Sequence, residues 1–326
     1  MREKILGMLR ETKDYISGER MSQELGVSRS MVWKVIKGLR DEGYKVDSVT
    51  NKGYRLAAVP NLITGEEVRS VLEPKIFGKE IYDYKEVDST NVIAKAKARE
   101  GAKEGTVFIA ESQTGGKGRL GKVWESPSGT GIWMSIVVRP EIVPQEVSGI
   151  TLVAGLAICK AIRKVTSLSA YIKWPNDIVV NGKKVCGILT EMSAEIDRVN
   201  YVIIGIGINV NTTKFPEELR KIATSLKIES GIDYSRKDIV AQVLMLFEEY
   251  YQKYVQGESL QGALEEYKDL CITLKNEVSI IDKDKSYEAT PLDIDKTGAL
   301  IVEKKDGSIE KITSGEVSVR GIYGYV

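Results

Sequence analysis

The sequence of 326 residues contains no histidine, and this absence excludes several kinds of chemistry. Histidine is the commonest metal ligand and the usual base of a catalytic triad, so neither a histidine-based metal centre nor such a triad is possible. Only three cysteines are present, Cys159, Cys186 and Cys271. They are widely spaced and odd in number, which fits neither a disulfide framework nor a zinc site.

Long hydrophobic segments are also missing. The first residues, Met-Arg-Glu-Lys, contain no apolar stretch of the signal-peptide kind. The longest apolar run, Tyr201 to Val210, is too short to span a bilayer. We therefore expect a cytoplasmic protein in a reducing compartment, without a membrane partner.

The sequence has little excess charge of either sign, because 47 basic residues face 46 acidic ones. The distribution is uneven, however. Residues 1–60 contain twelve basic and eight acidic residues, so they carry a net charge of +4 and the remainder carries −3. A basic N-terminal module on a slightly acidic body suggests contact with nucleic acid.

The basic module has the pattern of a winged helix-turn-helix. Helical spacing begins at Ile5, Gly26 separates two further helices, and Ser28 is placed to cap a third helix running from about Arg29 to Leu39. Two short strands then flank the turn 51–53 and predict a wing. We expect the inward face of the third helix to hold Met31, Val32, Val35, Ile36 and Leu39.

The third helix and the wing are cationic, which favours DNA binding over the alternative of a three-helix interaction module. Losing the charge on such a face would weaken contacts to phosphate groups. The candidate DNA-binding residues are Ser28, Arg29, Lys34, Lys37 and Lys52.

Residues 112–124 form a glycine-rich cationic loop after an apolar run, and such a loop is suited to holding phosphate. Three familiar templates fit it and fail. No helix opens at Gly121, as a dinucleotide site requires; the chain lacks the histidine of a kinase catalytic loop; and Val123 stands where a phosphate loop needs a hydroxyl. A solvated basic hairpin remains the alternative.

Further along, polar residues stand where predicted strands end. Ser89, Thr90 and Asn91 follow a strand and precede a helix, so they either cap that helix or bind a polar head group such as a urea or an amide. Lys173 and Asp177 flank one turn and are suited to phosphate and Mg²⁺. We expect an amphipathic helix over 150–165, and strands and hairpins interspersed with helices indicate an α+β fold.

Five motifs occur in a fixed order: residues 116–121, 173–177, 184–189, 205–209 and 315–320. Together with the winged N-terminus they resemble the family of bifunctional biotin–protein ligases and biotin operon repressors, over essentially the whole chain. The resemblance implies a multidomain α+β protein. Its parts are a winged helix-turn-helix domain at 1–62, a mixed α/β ligase domain of the class II synthetase-like type at 63–270, and an SH3-like β-barrel at 271–326.

The resemblance also implies an activity, a biotin–[acetyl-CoA-carboxylase] ligase that uses ATP and Mg²⁺. Biotin would be converted to biotinyl-5′-AMP and transferred to a lysine of a biotin carboxyl carrier protein, the acetyl-CoA carboxylase subunit. The adenylate would favour a homodimer that binds the operator DNA of biotin genes, which makes biotin the precursor of the corepressor. The loop 211–226 would cover the nucleotide.

By the same resemblance, each motif supplies residues to the ligase site. The catalytic residues would be Lys184 and Arg119, and Asp177 would be the Mg²⁺ ligand. Lys117 stands where many relatives have Arg, and Cys186 is interpreted as a small buried residue. The biotin-binding residues would be Ser89, Thr90, Asn91, Gln113, Lys117, Gly118, Arg119, Lys184 and Gly187, and the ATP-binding residues Lys122, Trp124, Lys173, Asn176, Asp177 and Asn209.

Three alternatives stay open. The chain could be a sensor that has lost the ligase chemistry, against which the intact Lys184, Arg119 and Asp177 argue. It could be a ligase for lipoate or octanoate, against which the winged module argues. It could also be a ligase whose winged domain only supports catalysis.

Overall fold

A computed structural model describes residues 1–12, 14–256, 260–282, 285–313, 318–321 and 325. The chain separates into two compact units, Met1–Leu62 and Ile63–Val326. The predicted boundary at residue 270 is not a division between compact units, so the separate C-terminal domain stays a prediction.

The first unit contains three helices and a two-stranded antiparallel sheet around its own core. Gly26 ends the second helix in the left-handed conformation, at φ 64°, and Ser28 caps the third helix by accepting from the Met31 amide at 3.2 Å. The winged helix-turn-helix pattern is therefore present. The elements are α1 (Arg2–Glu11), α2 (Gly18–Leu25), α3 (Arg29–Asp41), β1 (Lys45–Val49) and β2 (Gly53–Ala58).

One part of the inward face predicted for α3 is wrong. Val32, Ile36 and Leu39 are buried, but Met31 is 44% exposed. Each residue of a helix is rotated about 100° from the one before it, so Met31 falls at the edge of the buried stripe rather than within it. Its neighbour Trp33 is 54% exposed.

The second unit is built on a seven-stranded mixed sheet in the order β3-β4-β5-β9-β8-β7-β6, in which only β3 and β4 pair in parallel. The sheet has helices on both faces, which is the layered α+β arrangement expected from the sequence. Its strands are β3 (Ile81–Val87), β4 (Val107–Gln113), β5 (Gly131–Val138), β6 (Ala170–Lys173), β7 (Asp177–Val180), β8 (Lys183–Ala194) and β9 (Val199–Asn209), and its helices are α4 (Gly65–Arg69), α5 (Thr90–Arg99), α6 (Val147–Thr166), α7 (Leu226–Ser230), α8 (Arg236–Val255) and α9 (Leu260–Leu270).

The predicted helix over 150–165 is present as α6, but its buried surface is wider than an amphipathic helix requires. It lies between the sheet and the helices α8 and α9, and most of its side chains are buried. The segment Pro144–Thr166 is long and apolar enough to cross a membrane by length and composition alone, but 72% of its most apolar window is buried inside the protein. A core helix explains these properties. The small helix α5 covers the opposite face of the sheet through Ala94 and Ala98.

The C-terminal strands form a five-stranded antiparallel sheet in the order β13-β12-β11-β10-β14. The pairing of the described residues leaves this sheet open, so a closed SH3-like barrel stays a prediction. Two of its predicted turns are present, with Gly298 and Gly307 at positive φ; the turn after Asp282 and part of the 315–320 motif lie outside the described residues. The strands are β10 (Val278–Asp282), β11 (Lys285–Ile294), β12 (Leu300–Lys304), β13 (Ile309–Ile312) and β14 (Ser318–Gly321).

Candidate active site and DNA-binding surface

A cleft of about 530 Å³ lies against the central strands β5, β8 and β9. All the ligase-site residues named from the sequence line it, although they come from five separate stretches of chain. Those residues are Ser89, Thr90, Asn91, Gln113, Lys117, Gly118, Arg119, Lys122, Trp124, Lys173, Asn176, Asp177, Lys184, Gly187 and Asn209.

A buried polar cluster forms one end of the cleft, where β3 meets α5. Ser89 occupies the N-cap position of α5 but makes no side-chain cap, so the capping interpretation is wrong for this residue. The amide and hydroxyl of Thr90 donate to Gln113 Oε1 at 2.8 and 3.1 Å. Side chains oriented in this way can present hydrogen-bonding groups to a ligand head group.

Three residues that the sequence analysis did not select complete this cluster. The Ser135 hydroxyl is fully buried and lies 2.8 Å from Thr90 Oγ1 and 2.6 Å from Asn91 Oδ1. Asn91 donates to Glu191 at 2.7 Å, and Gln113 donates to Ser126 at 2.9 Å. No motif marks these residues, because strand pairing alone brings them to the cluster.

Two glycines of β9 allow other side chains to pack closely against the strand, as the sequence predicts. A Cβ on Gly205 would lie 2.3 Å from Asn91 Oδ1, and one on Gly207 would lie 2.5 Å from Trp124 Nε1. Real Cβ atoms essentially never show such distances, so a side chain at either position would displace Asn91 or Trp124. The buried Trp124 Nε1 has no hydrogen-bond acceptor among the residues that the structure describes, so its donor is available to a ligand.

The glycine loop is a short hairpin whose arginine turns inward. Lys117 and Val123 pair across it, which agrees with the hairpin alternative, but Arg119 donates to Asn176 Oδ1 at 2.9 Å rather than pointing into solvent. Burial lowers the pKa of Arg119, and the nearby Asp177 opposes that effect. The loop therefore places one guanidinium inside the cleft.

Lysine and carboxylate groups converge at the other end of the cleft. Lys184 Nζ lies 2.6 Å from Asp177 Oδ1; because the approach misses hydrogen-bond geometry, this contact is an ion pair held mainly by Coulomb attraction. Lys184 Nζ also lies 5.1 Å from the centre of the Trp124 ring. Lys173 is buried, with 5% of its surface exposed. These cations can neutralise an anionic substrate.

The loop 211–226 is joined to the strand that carries Lys184. The Lys184 amide donates to the Ile222 carbonyl at 2.8 Å, and the Thr224 amide donates to the Lys184 carbonyl at 2.9 Å. Phe215 and Leu219 line the cleft from this loop. The loop thus forms one wall of the site, as a cover over a bound nucleotide requires.

The three cysteines are not candidate nucleophiles. Cys159, Cys186 and Cys271 are all buried, and burial raises the pKa of Cys159 to about 12. Cys186 is a small core residue, as interpreted from the sequence, and burial raises its pKa as well. Thiols that stay protonated are poor nucleophiles.

A separate cationic surface lies on the first unit. Arg29, Lys34 and Lys37 are exposed along α3, and Lys52 is exposed at the tip of the wing. Trp33, which the sequence analysis missed, shares this face, with Lys37 Nζ 5.7 Å from its ring centre. The Ser28 hydroxyl is already engaged in capping α3. An exposed helix with these side chains is suited to the major groove of DNA.

The chain thus combines a winged helix-turn-helix unit with a mixed-sheet unit whose cleft is lined by a cationic glycine loop. Three family models match the chain: an HTH domain at 1–55, the biotin/lipoate A/B protein ligase family at 84–209, and the biotin protein ligase C-terminal domain at 274–320. The bifunctional ligase/repressor BirA of Bacillus spizizenii is 41% identical over 94% of both chains.

The likeness extends to more distant relatives. BirA of Escherichia coli is 31% identical over 94% of both chains. The solved structure of biotin protein ligase from Aquifex aeolicus in complex with biotin and ATP is 31% identical, with a TM-score of 0.65, and the match covers 74% of this chain and 99% of that one. The chain therefore belongs to the bifunctional ligase/repressor branch of the biotin protein ligase family.

Proposed function

We propose that this protein is an ATP-dependent biotin–protein ligase that also represses transcription in response to biotin. One observation carries the ligase assignment: a single cleft combines a buried polar cluster at one end with Arg119, Lys173 and Lys184 at the other. The polar cluster suits the ureido head of biotin. The cationic end suits the meeting of a carboxylate and a triphosphate.

In the first step, an oxygen of the biotin carboxylate attacks the α-phosphorus of ATP. The bond to the β-phosphate oxygen breaks, and biotinyl-5′-AMP and pyrophosphate form. Both nucleophile and leaving group belong to substrates, which agrees with a chain that lacks histidine and buries its cysteines. The work left to the protein is to orient two anions and to stabilise the negative charge where they meet. We assign that role to Lys184 and Arg119.

In the second step, the amine of an acceptor lysine attacks the carbonyl of the mixed anhydride, and AMP leaves. An anhydride is readily hydrolysed, so the site must exclude water until the acceptor arrives. The glycine loop and the loop 211–226 flank the cleft on two sides and are placed to do so. We propose a biotin carboxyl carrier protein, the acetyl-CoA carboxylase subunit, as the acceptor.

The donor set fits Mg²⁺ only as a partner of the nucleotide. No group of three or more carboxylate or cysteine ligands occurs among the described residues, and Asp177 is the carboxylate in the cleft next to Lys173. Mg²⁺ is often bound by one or two carboxylates together with substrate phosphates and water. Asp177 would therefore hold a metal that neutralises phosphate charge, after its contact with Lys184 is exchanged.

A pyrophosphate exchange assay tests the ligase assignment directly. Labelled pyrophosphate should enter ATP only when biotin is present, because exchange requires reversible adenylate formation. Lipoate and octanoate at the same concentration should give no exchange. Exchange with lipoate and not biotin would assign the protein to the other branch of the fold, and no exchange with any acid would identify a sensor.

Removal of the loop guanidinium should make the enzyme leaky. We expect Arg119→Gly to form some adenylate, at a reduced rate, but to release it, because the variant loses the contact to Asn176 that holds the loop at the cleft. The measurement is biotinylation of a bystander protein that is not an acceptor. Arg198→Gly, at an exposed surface ion pair, is the control and should label no bystander. Adenylate retention equal to the parent in Arg119→Gly would remove the clamp role.

We further propose that the first unit binds the operator of biotin genes, and that biotinyl-5′-AMP promotes binding by favouring a homodimer. The exposed cations on α3 and the matching HTH family support DNA binding. We also propose a cytoplasmic location, a class II synthetase-like central fold and an SH3-like C-terminal barrel. Fluorescence anisotropy on the operator with and without biotin plus ATP tests the coupling; equal affinity in both would leave the module with a structural role.

Single substitutions on α3 should separate phosphate contacts from base contacts. Lys34→Ala should weaken binding to all sequences alike and reduce the slope of log affinity against log salt by about one unit. Trp33→Ala removes an exposed apolar ring and no charge, so it should change the preference among sequences without changing that slope. Lys4→Ala, which removes a charge from α1, is the control. A slope unchanged in Lys34→Ala would place this residue off the DNA.

A further inference from the structure

Tyr325, near the end of the chain, contacts two residues of the cationic end of the cleft. Its hydroxyl donates to Asp177 Oδ2, and its carbonyl accepts from Lys173 Nζ. Its ring centre lies 3.4 Å from the same Lys173 nitrogen. The C-terminal part of the chain therefore supplies Tyr325, together with Val319, to the lining of the cleft.

The contacts with Tyr325 compensate for the burial of the Lys173 side chain. An ammonium group with 5% exposure has lost most of its water and needs compensation from the protein. Tyr325 offers a carbonyl oxygen and the negative face of an aromatic ring, and a cation–π contact is stronger away from water. Without the Tyr325 side chain, Lys173 would lose the ring contact that helps to hold it in place.

Tyr325 also influences Lys184 through the shared carboxylate. Asp177 Oδ1 lies 2.6 Å from Lys184 Nζ, while Oδ2 accepts from the Tyr325 hydroxyl. A carboxylate held at both oxygens has a defined orientation, so the hydroxyl restrains the carboxylate that faces Lys184. Tyr325 thus contacts Lys173 directly and is connected to Lys184 through Asp177.

We propose that Tyr325 is a positioning residue for the adenylation step, which holds Lys173 and Asp177 in the geometry that the nucleotide requires. The inference rests on the nucleotide roles proposed above for these two residues. It assigns Tyr325 to the nucleotide end of the cleft. The polar cluster at the other end is oriented by a different set of contacts, through Gln113 and Ser135, so biotin affinity should not depend on Tyr325.

The test compares Tyr325→Ala with Tyr325→Phe by pyrophosphate exchange at varied ATP, and by calorimetric titration with biotin alone. Misplacement of catalytic groups by about an ångström can cost about 100-fold, so we expect Tyr325→Ala to lose roughly 10- to 100-fold in kcat/KM for ATP. Tyr325→Phe keeps the ring over Lys173 and lacks only the hydroxyl, so it should recover part of the loss. The Kd for biotin should be unchanged in both, which also shows that both variants fold.

The controls distinguish failure of this inference from failure of the proposed site. Tyr82→Phe removes a hydroxyl from a tyrosine that is 49% exposed on β3 and should behave as the parent. Lys173→Ala should abolish exchange; if it does not, the nucleotide role of Lys173 is wrong. If Lys173→Ala is inactive while Tyr325→Ala has parental kinetics, only the positioning role is overturned. A lower KM for ATP in Tyr325→Ala would also overturn the positioning role, because it would show that the Tyr325 side chain competes with ATP for the site.

Discussion

Lys184→Ala should abolish adenylate formation while the protein stays folded. Lys184 is the cation nearest to both Asp177 and the Trp124 ring, where the carboxylate and the α-phosphate are proposed to meet. Negative charge on the transferred phosphorus group grows in the transition state, and loss of one group that stabilises such charge typically costs about 100- to 1000-fold in rate. The measurement is biotin-dependent pyrophosphate exchange at saturating ATP.

The adjacent residue, Lys183, provides a matched control for Lys184→Ala. Lys183 precedes Lys184 on β8, but its side chain is exposed and points away from the neighbouring position, because successive residues of a strand face opposite sides. Lys183→Ala should therefore exchange pyrophosphate at the parental rate. Circular dichroism and thermal unfolding, which do not depend on ligand binding, confirm folding of both variants. If Lys184→Ala retained near-normal exchange, the stabilising role would belong to another cation of the cleft.

The sequence predicts features that depend on local backbone chemistry. Gly26 and Ser28 mark the boundaries of α2 and α3 because a left-handed C-cap and a hydroxyl N-cap are properties of single positions. Asn181 and Gly182 predict the hairpin between β7 and β8, where both residues have positive φ. Glycine in a strand interior often marks a place where another group approaches closely. The close packing predicted at Gly205 on this basis is confirmed.

Features set by the surroundings of an element are less predictable. The helix α6 is rich in alanine and glycine, and such small side chains allow another element to pack on any side of the helix. Whether α8 and α9 cover its second face depends on residues far from α6 in the sequence. Met31 shows the same limit on a smaller scale. Its exposure depends on which helix stands opposite the first turn of α3, not on its own hydrophobicity.

The residues of the candidate site also differ in how well the sequence predicts them. The cations and the glycine loop are contiguous motifs, and the resemblance to the ligase family carries them. Ser135, Glu191 and Tyr325 come from segments with no motif, and they reach the cleft through strand pairing or through the return of the C-terminal chain. Residues that orient a site are difficult to recognise in one sequence, because only their distance from other residues gives them a role.

The base of the glycine loop should be the most sensitive place for stability. Arg236 on α8 is 1% exposed and pairs with Glu111 of β4 at 2.8 Å. It also donates to the Gly131 carbonyl, at the start of β5, at 3.0 Å. These two strands lead into and out of the loop segment 114–130, so a single guanidinium joins both ends of that segment.

We expect Arg236→Met to lower the free energy of unfolding by about 3–5 kcal/mol, because it leaves the Glu111 carboxylate without its buried counter-charge. Arg198→Met provides the comparison: Arg198 pairs with Glu195 at 2.7 Å, but both side chains are more than half exposed, and an exposed pair contributes only about 0–1 kcal/mol. The two ion pairs have nearly equal lengths, so burial alone separates the expected effects. Urea unfolding of the two variants measures the change in the free energy of unfolding.

Replacement of both charges, in Glu111→Leu with Arg236→Met, should recover much of the lost stability, since no unpaired charge remains. Equal destabilisation by Arg236→Met and Arg198→Met would contradict the assignment of the buried pair as the tie between β4, β5 and α8.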